Sequence, residues 1–141
     1  MLWFNERRNT KMELKELQEL YIQTERLILR EMREDDFDAL YSVLGDCGLT
    51  MQTIDGIIRP EIGYRIRADK QRKSYASEAA IAVRDWTFAN TPFQEIYSYM
   101  TAENEAFART AMSYGCQFFC EYVGTDSKRT KVYAVRKEDC K

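Results

Sequence analysis

The sequence predicts a mixed α/β (α+β) fold in which helices cover a largely antiparallel sheet. Short segments with alternating apolar residues are interleaved with segments of helical periodicity along most of the 141 residues. A turn signal at Asp55-Gly56 joins two of these strands directly and indicates an antiparallel hairpin. Residues 61–80 then run from a strand through a basic loop into an alanine-rich helix, which is typical of an anion site.

The first part of the chain predicts an extension ahead of the main domain. Residues 1–11 show no periodic pattern, whereas Met12–Tyr21 places its leucines on one stripe and predicts a short amphipathic helix. We therefore divide the chain into an N-terminal extension, 1–23, and a single domain, 24–141.

Strands and helices follow one another through the predicted domain. The alternation of strands occurs in Arg26–Glu31, Leu49–Gln52, Arg59–Ile66, Gln94–Met100, Gln117–Tyr122 and Thr130–Arg136. Helical spacing occurs in 34–44, which Gly45 ends, in Ala76–Asn90, and between the N-cap Asn104 and Gly115.

Composition excludes several classes of protein. A net charge of −2 argues against a general binder of nucleic acid or membrane surfaces. The chain has no apolar run of transmembrane length and no signal peptide, so we expect a cytoplasmic protein. It also has no histidine, and its four cysteines form no CxxC pair, so we expect no metal site and no histidine-dependent catalysis.

The basic loop is the most informative local feature. Its five cations are Arg65, Arg67, Lys70, Arg72 and Lys73. A strand, a loop with free N–H groups and a helix start together favour a phosphate or pyrophosphate ligand. The alternative interpretation is a solvated charged turn. A role in RNA binding is disfavoured, because the chain lacks an aromatic strand of the RNP type.

Ordered motifs run along the chain from residue 24 to residue 139. They are Thr24–Arg30 followed by Glu34-Asp35-Asp36, Glu61–Ile66, Gln71–Ala76, Asn104 with Gly115, and Lys131–Asp139. Together these motifs resemble the GNAT-type N-acetyltransferases, in particular the branch that acetylates the N-terminal amines of ribosomal proteins. Residues Gln71–Ala76 are similar to the acetyl-CoA pyrophosphate loop of that family, Gln/Arg-x-x-Gly-x-Gly/Ala.

The resemblance implies a binding site for acetyl-CoA without a metal. The N–H groups of Arg72–Ala76 cradle the pyrophosphate, the strand end at Ile66 and Arg67 pairs with the pantetheine arm, and Asn104 contacts the arm from the opposite wall. The implied cofactor-binding residues are Ile66, Arg67, Gln71, Arg72, Lys73, Ser74, Tyr75, Ala76 and Asn104.

The resemblance also implies direct attack of a primary amine, from a protein N-terminus or a small molecule, on the thioester. Glu61 is the candidate general base, directly or through a water. The alternative for Glu61 is a strand-end carboxylate paired with Arg59 or Arg65. The position where relatives carry a tyrosine acid is Ala111 here, and we expect Tyr114, one turn later, to be packed.

The sequence departs from the family pattern in three places. Ser74 replaces the loop glycine, and Phe107 replaces a serine. The connection from Leu44 to Leu49 is too short for a helix and strand that relatives carry, so we expect an open sheet edge and therefore a homo-oligomer. An impaired GNAT-like domain that binds CoA or associates with itself is the alternative function.

Overall fold

The computed structural model describes residues 2–6, 21–31, 45–54 and 56–140. Within these ranges the strands are β1 (Leu2–Glu6), β2 (Tyr21–Gln23), β3 (Leu27–Arg30), β4 (Gly45–Ile54), β5 (Ile57–Ile66), β6 (Glu95–Thr101), β7 (Gln117–Val123) and β8 (Arg129–Arg136). The helices are α1 (Tyr75–Asn90) and α2 (Glu105–Ser113), with short 3-10 turns at Ala68–Lys70 and Lys137–Asp139.

The eight described strands form one sheet in the order β2-β3-β1-β4-β5-β6-β8-β7. Each neighbouring pair is antiparallel except β5 and β6, which are parallel. The predicted mixed α/β fold with a largely antiparallel sheet is therefore confirmed. None of the described helices is long and apolar enough to cross a membrane.

The predicted hairpin forms, with longer strands than the sequence indicated. Strands β4 and β5 pair without interruption from Gly45↔Ile66 to Ile54↔Ile57. Gly56 in the turn has φ +74°, a conformation that glycine adopts without steric cost. Gly45, predicted to end the helix at 34–44, is the first residue of β4, and its backbone joins the ladder with Ile66.

A strand near the N-terminus is the main feature that the sequence analysis missed. Trp3 of β1 pairs with Arg30 on one side and with Asp46 on the other, so β1 lies between β3 and β4. Tyr21, predicted as the last residue of a helix, instead begins β2. The rest of that predicted helix, and the helix predicted at 34–44, lie outside the described residues.

The core lies between one face of the sheet and α1. Side chains that are completely buried there include Leu27, Leu29 and Ile62 from the strands. Helix α1 presents Ala79 and Ala80, also completely buried, and these small side chains let the helix approach the sheet closely. Burial therefore packs α1 against β4 and β5 in the middle of the sheet.

The second helix has the predicted start and end. The Asn104 Oδ1 accepts a hydrogen bond from the Phe107 N–H at 3.1 Å and caps α2. Gly115 follows α2 with φ +98°, and a Cβ there would lie 3.3 Å from the Val135 Cγ2. In β7, a bulge between Phe118 and Cys120 interrupts the ladder, so Phe118 and Phe119 are both exposed.

Candidate active site

The site begins where β5 and β6 separate. These strands are 10 and 7 residues long, yet their ladder contains a single pair, Glu61↔Tyr97. Beyond this pair the segment 63–66 of β5 is paired with β4 on one side, and the described residues provide no ladder partner on the other. We call this opening the strand fork. Its free edge suits an extended ligand that hydrogen-bonds like an added strand.

The basic loop leads from the strand fork to α1. Arg72 has φ +62° and Ser74 has φ +61°, both in the left-handed region. Ser74 is the N-cap residue of α1, but its side chain makes no capping hydrogen bond. The first turn of a helix leaves N–H groups without intrahelical acceptors, and left-handed residues just before it form a concave surface for anions.

The cations of the loop differ in their partners. Arg67 pairs with Asp69, with its Nε 2.6 Å from the Asp69 Oδ1. In the part of the chain that the structure describes, Lys70, Arg72 and Lys73 have no carboxylate partner. The positive charge beside the α1 N-terminus is therefore available to an anion.

Contacts from the β2–β3 turn hold the basic loop and the start of α1 in position. The Glu78 carboxylate in the first turn of α1 accepts hydrogen bonds from the Thr24 hydroxyl and from the Arg26 N–H and Nε. Arg26 in turn donates to the Lys73 carbonyl at 3.1 Å, and its Cζ lies 4.7 Å from the centroid of the Tyr75 ring. These contacts explain why the Thr24–Arg30 motif accompanies the loop motif.

Glu61 lies at the apex of the strand fork. The Thr50 hydroxyl donates to its Oε2 at 3.3 Å, and the Gln52 side chain and the Tyr99 N–H also hydrogen-bond to the carboxylate. Burial raises the pKa of Glu61 above its ordinary value, and the hydrogen bonds offset part of this rise. A raised pKa makes the carboxylate a stronger base near neutral pH.

The alternative interpretation of Glu61 as an ion-paired carboxylate is not supported. Neither Arg59 nor Arg65, both in the described residues, forms a salt bridge with it. Instead the Arg59 Nη1 donates a hydrogen bond to the Tyr97 hydroxyl. The alternation of β5 could have indicated that Arg59 shares a face with Glu61.

The opposite wall of the strand fork contains an aromatic stack. The rings of Tyr64 and Phe107 lie 4.2 Å apart at an angle of 8°, and the Tyr64 hydroxyl donates to the Phe107 carbonyl at 3.0 Å. This stack joins β5 to α2 and places the capping residue Asn104 beside it. At the strand end, the Ile66 carbonyl accepts from the Gln71 side chain at 3.2 Å.

The two positions considered for an acid that protonates the leaving thiolate are buried. Ala111 and Tyr114 are completely buried, which agrees with the expected packing of Tyr114. The four cysteines are free, and burial raises the pKa of Cys116 to about 12. Among the described residues no cluster of three or more acidic or cysteine side chains could hold a metal.

Replacing Ser74 by glycine is expected to stabilise the protein by about 0.5–1 kcal/mol, because glycine adopts a left-handed conformation without strain. Urea unfolding measures the change. Ser127, with φ +60° in a distant loop, provides the matched control. Ser127→Gly should give a similar stabilisation, but only Ser74→Gly should alter the affinity for an anion at the loop. A lower free energy of unfolding for Ser74→Gly would contradict the inference that the left-handed backbone of Ser74 is strained.

Residues 42–117, more than half of the chain, match the profile of a family described as acetyltransferase (GNAT) domain. A search of curated proteins found no match. An acetyltransferase from Agrobacterium tumefaciens C58 is a similar solved structure, with TM-score 0.69, 19% identity, and coverage of 93% of this chain and 99% of that one.

Two further solved structures share the fold. A GNAT-family acetyltransferase from Bacillus anthracis has TM-score 0.57 and 23% identity over 68% of this chain. A ribosomal-protein-S5-alanine acetyltransferase from Vibrio fischeri has TM-score 0.61 and 17% identity over 73% of this chain. The chain spans 60% and 59% of the length of these two proteins.

Proposed function

Because the chain belongs to the GNAT acetyltransferase family, we propose that it binds acetyl-CoA at the strand fork and the basic loop and transfers the acetyl group to a primary amine. One observation carries this proposal: the single ladder pair Glu61↔Tyr97, which leaves an open strand edge between a half-buried carboxylate and a loop rich in cations. An extended thioester arm with a pyrophosphate at one end has the shape and charge that this arrangement requires.

The proposed binding mode uses backbone groups more than side chains. Ile66 and Arg67 at the end of β5 pair with the pantetheine arm, and the N–H groups of Arg72–Ala76 receive the pyrophosphate, aided by the dipole of α1. The Gln71 side chain, which now donates to the Ile66 carbonyl, must release that acceptor when the arm pairs there. Asn104 contributes from the α2 side.

Glu61 is the proposed general base. Its carboxylate takes a proton from the acceptor ammonium, directly or through a water, so that the neutral amine attacks the thioester carbonyl. A strand N–H group stabilises the negative charge that develops on the carbonyl oxygen. Holding the amine and the thioester together supplies much of the rate.

The acceptor class and assembly state complete the proposal. The name of the Vibrio fischeri structure supports a protein N-terminus as one acceptor and the proposed membership of the ribosomal-protein branch.

We also infer a homo-oligomer. The strand β1 occupies the position beside β3 where an open edge was expected. The proposed self-association is supported by the edge strand β7, where the apolar side chains of Phe118, Phe119 and Val123 are exposed.

Acetyl-CoA is expected to raise the melting temperature of the protein. At one hundred times its dissociation constant it should add about 2.7 kcal/mol to the free energy of unfolding. Lys73→Glu should weaken this binding by about tenfold or more, because it reverses a charge beside the proposed pyrophosphate position. Lys128→Glu, an equal charge change in the exposed loop before β8, is the control and should not alter it.

No thermal shift at millimolar acetyl-CoA would overturn the proposed function. A shift without acetylation of any amine would instead favour the impaired, CoA-binding alternative.

A further inference from the structure

On the sheet face opposite α1, a group of side chains beside Glu61 has no role in the proposed binding of acetyl-CoA. Arg59 and Glu61 are two residues apart on β5, so both lie on this face. Tyr97 of β6 is the ladder partner of Glu61, and the Phe119 ring meets the Tyr97 ring edge-on with centroids 5.5 Å apart. The Tyr99 ring lies 6.4 Å further along β6. We call Arg59, Tyr97, Tyr99 and Phe119 the arginine–aromatic cluster.

Arg59 is held firmly but has no carboxylate partner among the described residues. Its Nη1 donates to the Tyr97 hydroxyl at 2.5 Å. Its Cζ lies 4.8 Å from the Tyr97 ring centroid and 5.6 Å from that of Phe119. The Arg59 Nε is buried, and the described residues offer it no hydrogen-bond acceptor. A buried donor without an acceptor is costly, and an anionic ligand would satisfy it.

Glu61 is kept apart from Arg59 by its own contacts. Thr50 and the Tyr99 N–H hold the carboxylate, whereas Tyr97 and Phe119 hold the guanidinium. Two opposite charges therefore stand side by side on one face without neutralising each other. The Tyr99 hydroxyl is also buried and has no hydrogen-bond partner in the part of the chain that the structure describes, so the same face holds a second unsatisfied polar group.

We propose that this face binds the acetyl acceptor and that the acceptor is a compact zwitterion, an amine with a carboxylate a few atoms away. The amine contacts Glu61, and the carboxylate contacts Arg59, whose planar guanidinium can donate two parallel hydrogen bonds. Arg59 is then a specificity-determining residue. The inference rests on the proposed function and narrows it, because the N-terminal residue of a protein carries an amide in place of this carboxylate.

Matched acceptor pairs test the proposal with the full chain. Glycine, β-alanine, L-leucine and L-phenylalanine are compared with their amides, which keep the shape but lack the negative charge. The amide has the more acidic ammonium group and so more free amine at neutral pH, which biases the comparison against the proposal. 2-Aminoethylphosphonate beside β-alanine distinguishes a phosphonate from a carboxylate.

The acid of at least one pair is expected to exceed its amide in kcat/KM by about tenfold or more, the size of one charged hydrogen bond. Arg59→Met should remove this preference, and Arg59→Lys should retain part of it. Arg129→Met is the control, because Arg129 lies on β8 and pairs with Glu121. Circular dichroism verifies that each variant is folded.

Equal rates for acid and amide in every pair, or a preference that survives Arg59→Met, would overturn the zwitterion while leaving acetyl transfer intact. A higher kcat/KM for 2-aminoethylphosphonate than for β-alanine would overturn the proposal that the anionic group of the acceptor is a carboxylate. If no amine is acetylated, the proposed function fails. Ligand-observed NMR then compares the binding of the same acids and amides. Binding of the acid that is lost in Arg59→Met supports recognition of the carboxylate by Arg59. Equal binding of acid and amide refutes it.

Discussion

Replacing Glu61 by glutamine is expected to lower kcat/KM for acetyl transfer by about 100- to 1,000-fold, the usual contribution of a general base. Glutamine has nearly the same shape and keeps the contacts with Thr50 and the Tyr99 N–H within reach. The variant cannot take a proton from the ammonium. Its affinity for acetyl-CoA should change little, since Glu61 is not among the proposed cofactor contacts at the end of β5, in the loop and at Asn104.

The pH profile provides a second measure of the same group. Burial raises the pKa of Glu61, so the protonated carboxyl persists above the ordinary range, and the rate should rise with pH as it ionises. Glu61→Gln should lack this acidic limb. A raised folded-state pKa also means that Glu61 contributes stability below its unfolded pKa and loses it as pH rises through the folded pKa. The glutamine variant should therefore be at least as stable at neutral pH.

Glu121→Gln is the matched control for Glu61→Gln. Glu121 is on β7, and its ion pair with Arg129 lies away from the strand fork. This control should retain the wild-type rate. Retention of more than a third of the rate by Glu61→Gln would show that another group or bulk water removes the proton.

Replacing Tyr114 by alanine is expected to lower the free energy of unfolding by about 3–5 kcal/mol, the range for losing a large buried aromatic side chain. Tyr114 is completely buried and has the largest volume among the fully buried side chains of the described residues. Tyr114→Phe should cost less than about 1 kcal/mol. Its hydroxyl lies near Ser98 and Cys116 but makes no hydrogen bond of good geometry within the described ranges, so its removal leaves none of these groups unpaired.

Urea unfolding and turnover together distinguish packing from catalysis at Tyr114. Burial raises the pKa of the Tyr114 hydroxyl well above its ordinary value, which keeps the group protonated and inert. We expect Tyr114→Phe to keep the wild-type rate, as a packing role requires. A tenfold loss of rate in a stable Tyr114→Phe protein would instead indicate that the hydroxyl protonates the leaving thiolate.

Local patterns predicted much of the fold. The Asp55-Gly56 signal predicted the hairpin because only a few conformations join two strands with two residues, and Gly56 adopts the left-handed one. Asn104 predicted the start of α2 because its side chain can accept the Phe107 N–H. Such signals depend on neighbours within a few residues, so they can be recognised without the rest of the chain.

Long-range pairing accounts for what the sequence analysis missed. Strand β1 is five residues long and gains its structure by pairing with β3 and β4, which are far away along the chain. The bulge in β7 depends on the register with β8, and both Phe118 and Phe119 are exposed beside it. Register is set by partners, so these features have no local signal.

The amino-acid sequence by itself determined the fold class, the order of motifs that resembles the GNAT family, and the strand, basic loop and helix at 61–80. The separation of β5 and β6 after Glu61↔Tyr97 became evident from the three-dimensional structure alone, as did the contact of Arg59 with Tyr97 in place of an ion pair with Glu61. Motifs can be recognised in the sequence because they depend on residues that are neighbours along the chain. A strand fork and a charge without an ion-pair partner depend instead on which residues, distant along the chain, lie next to them in the fold.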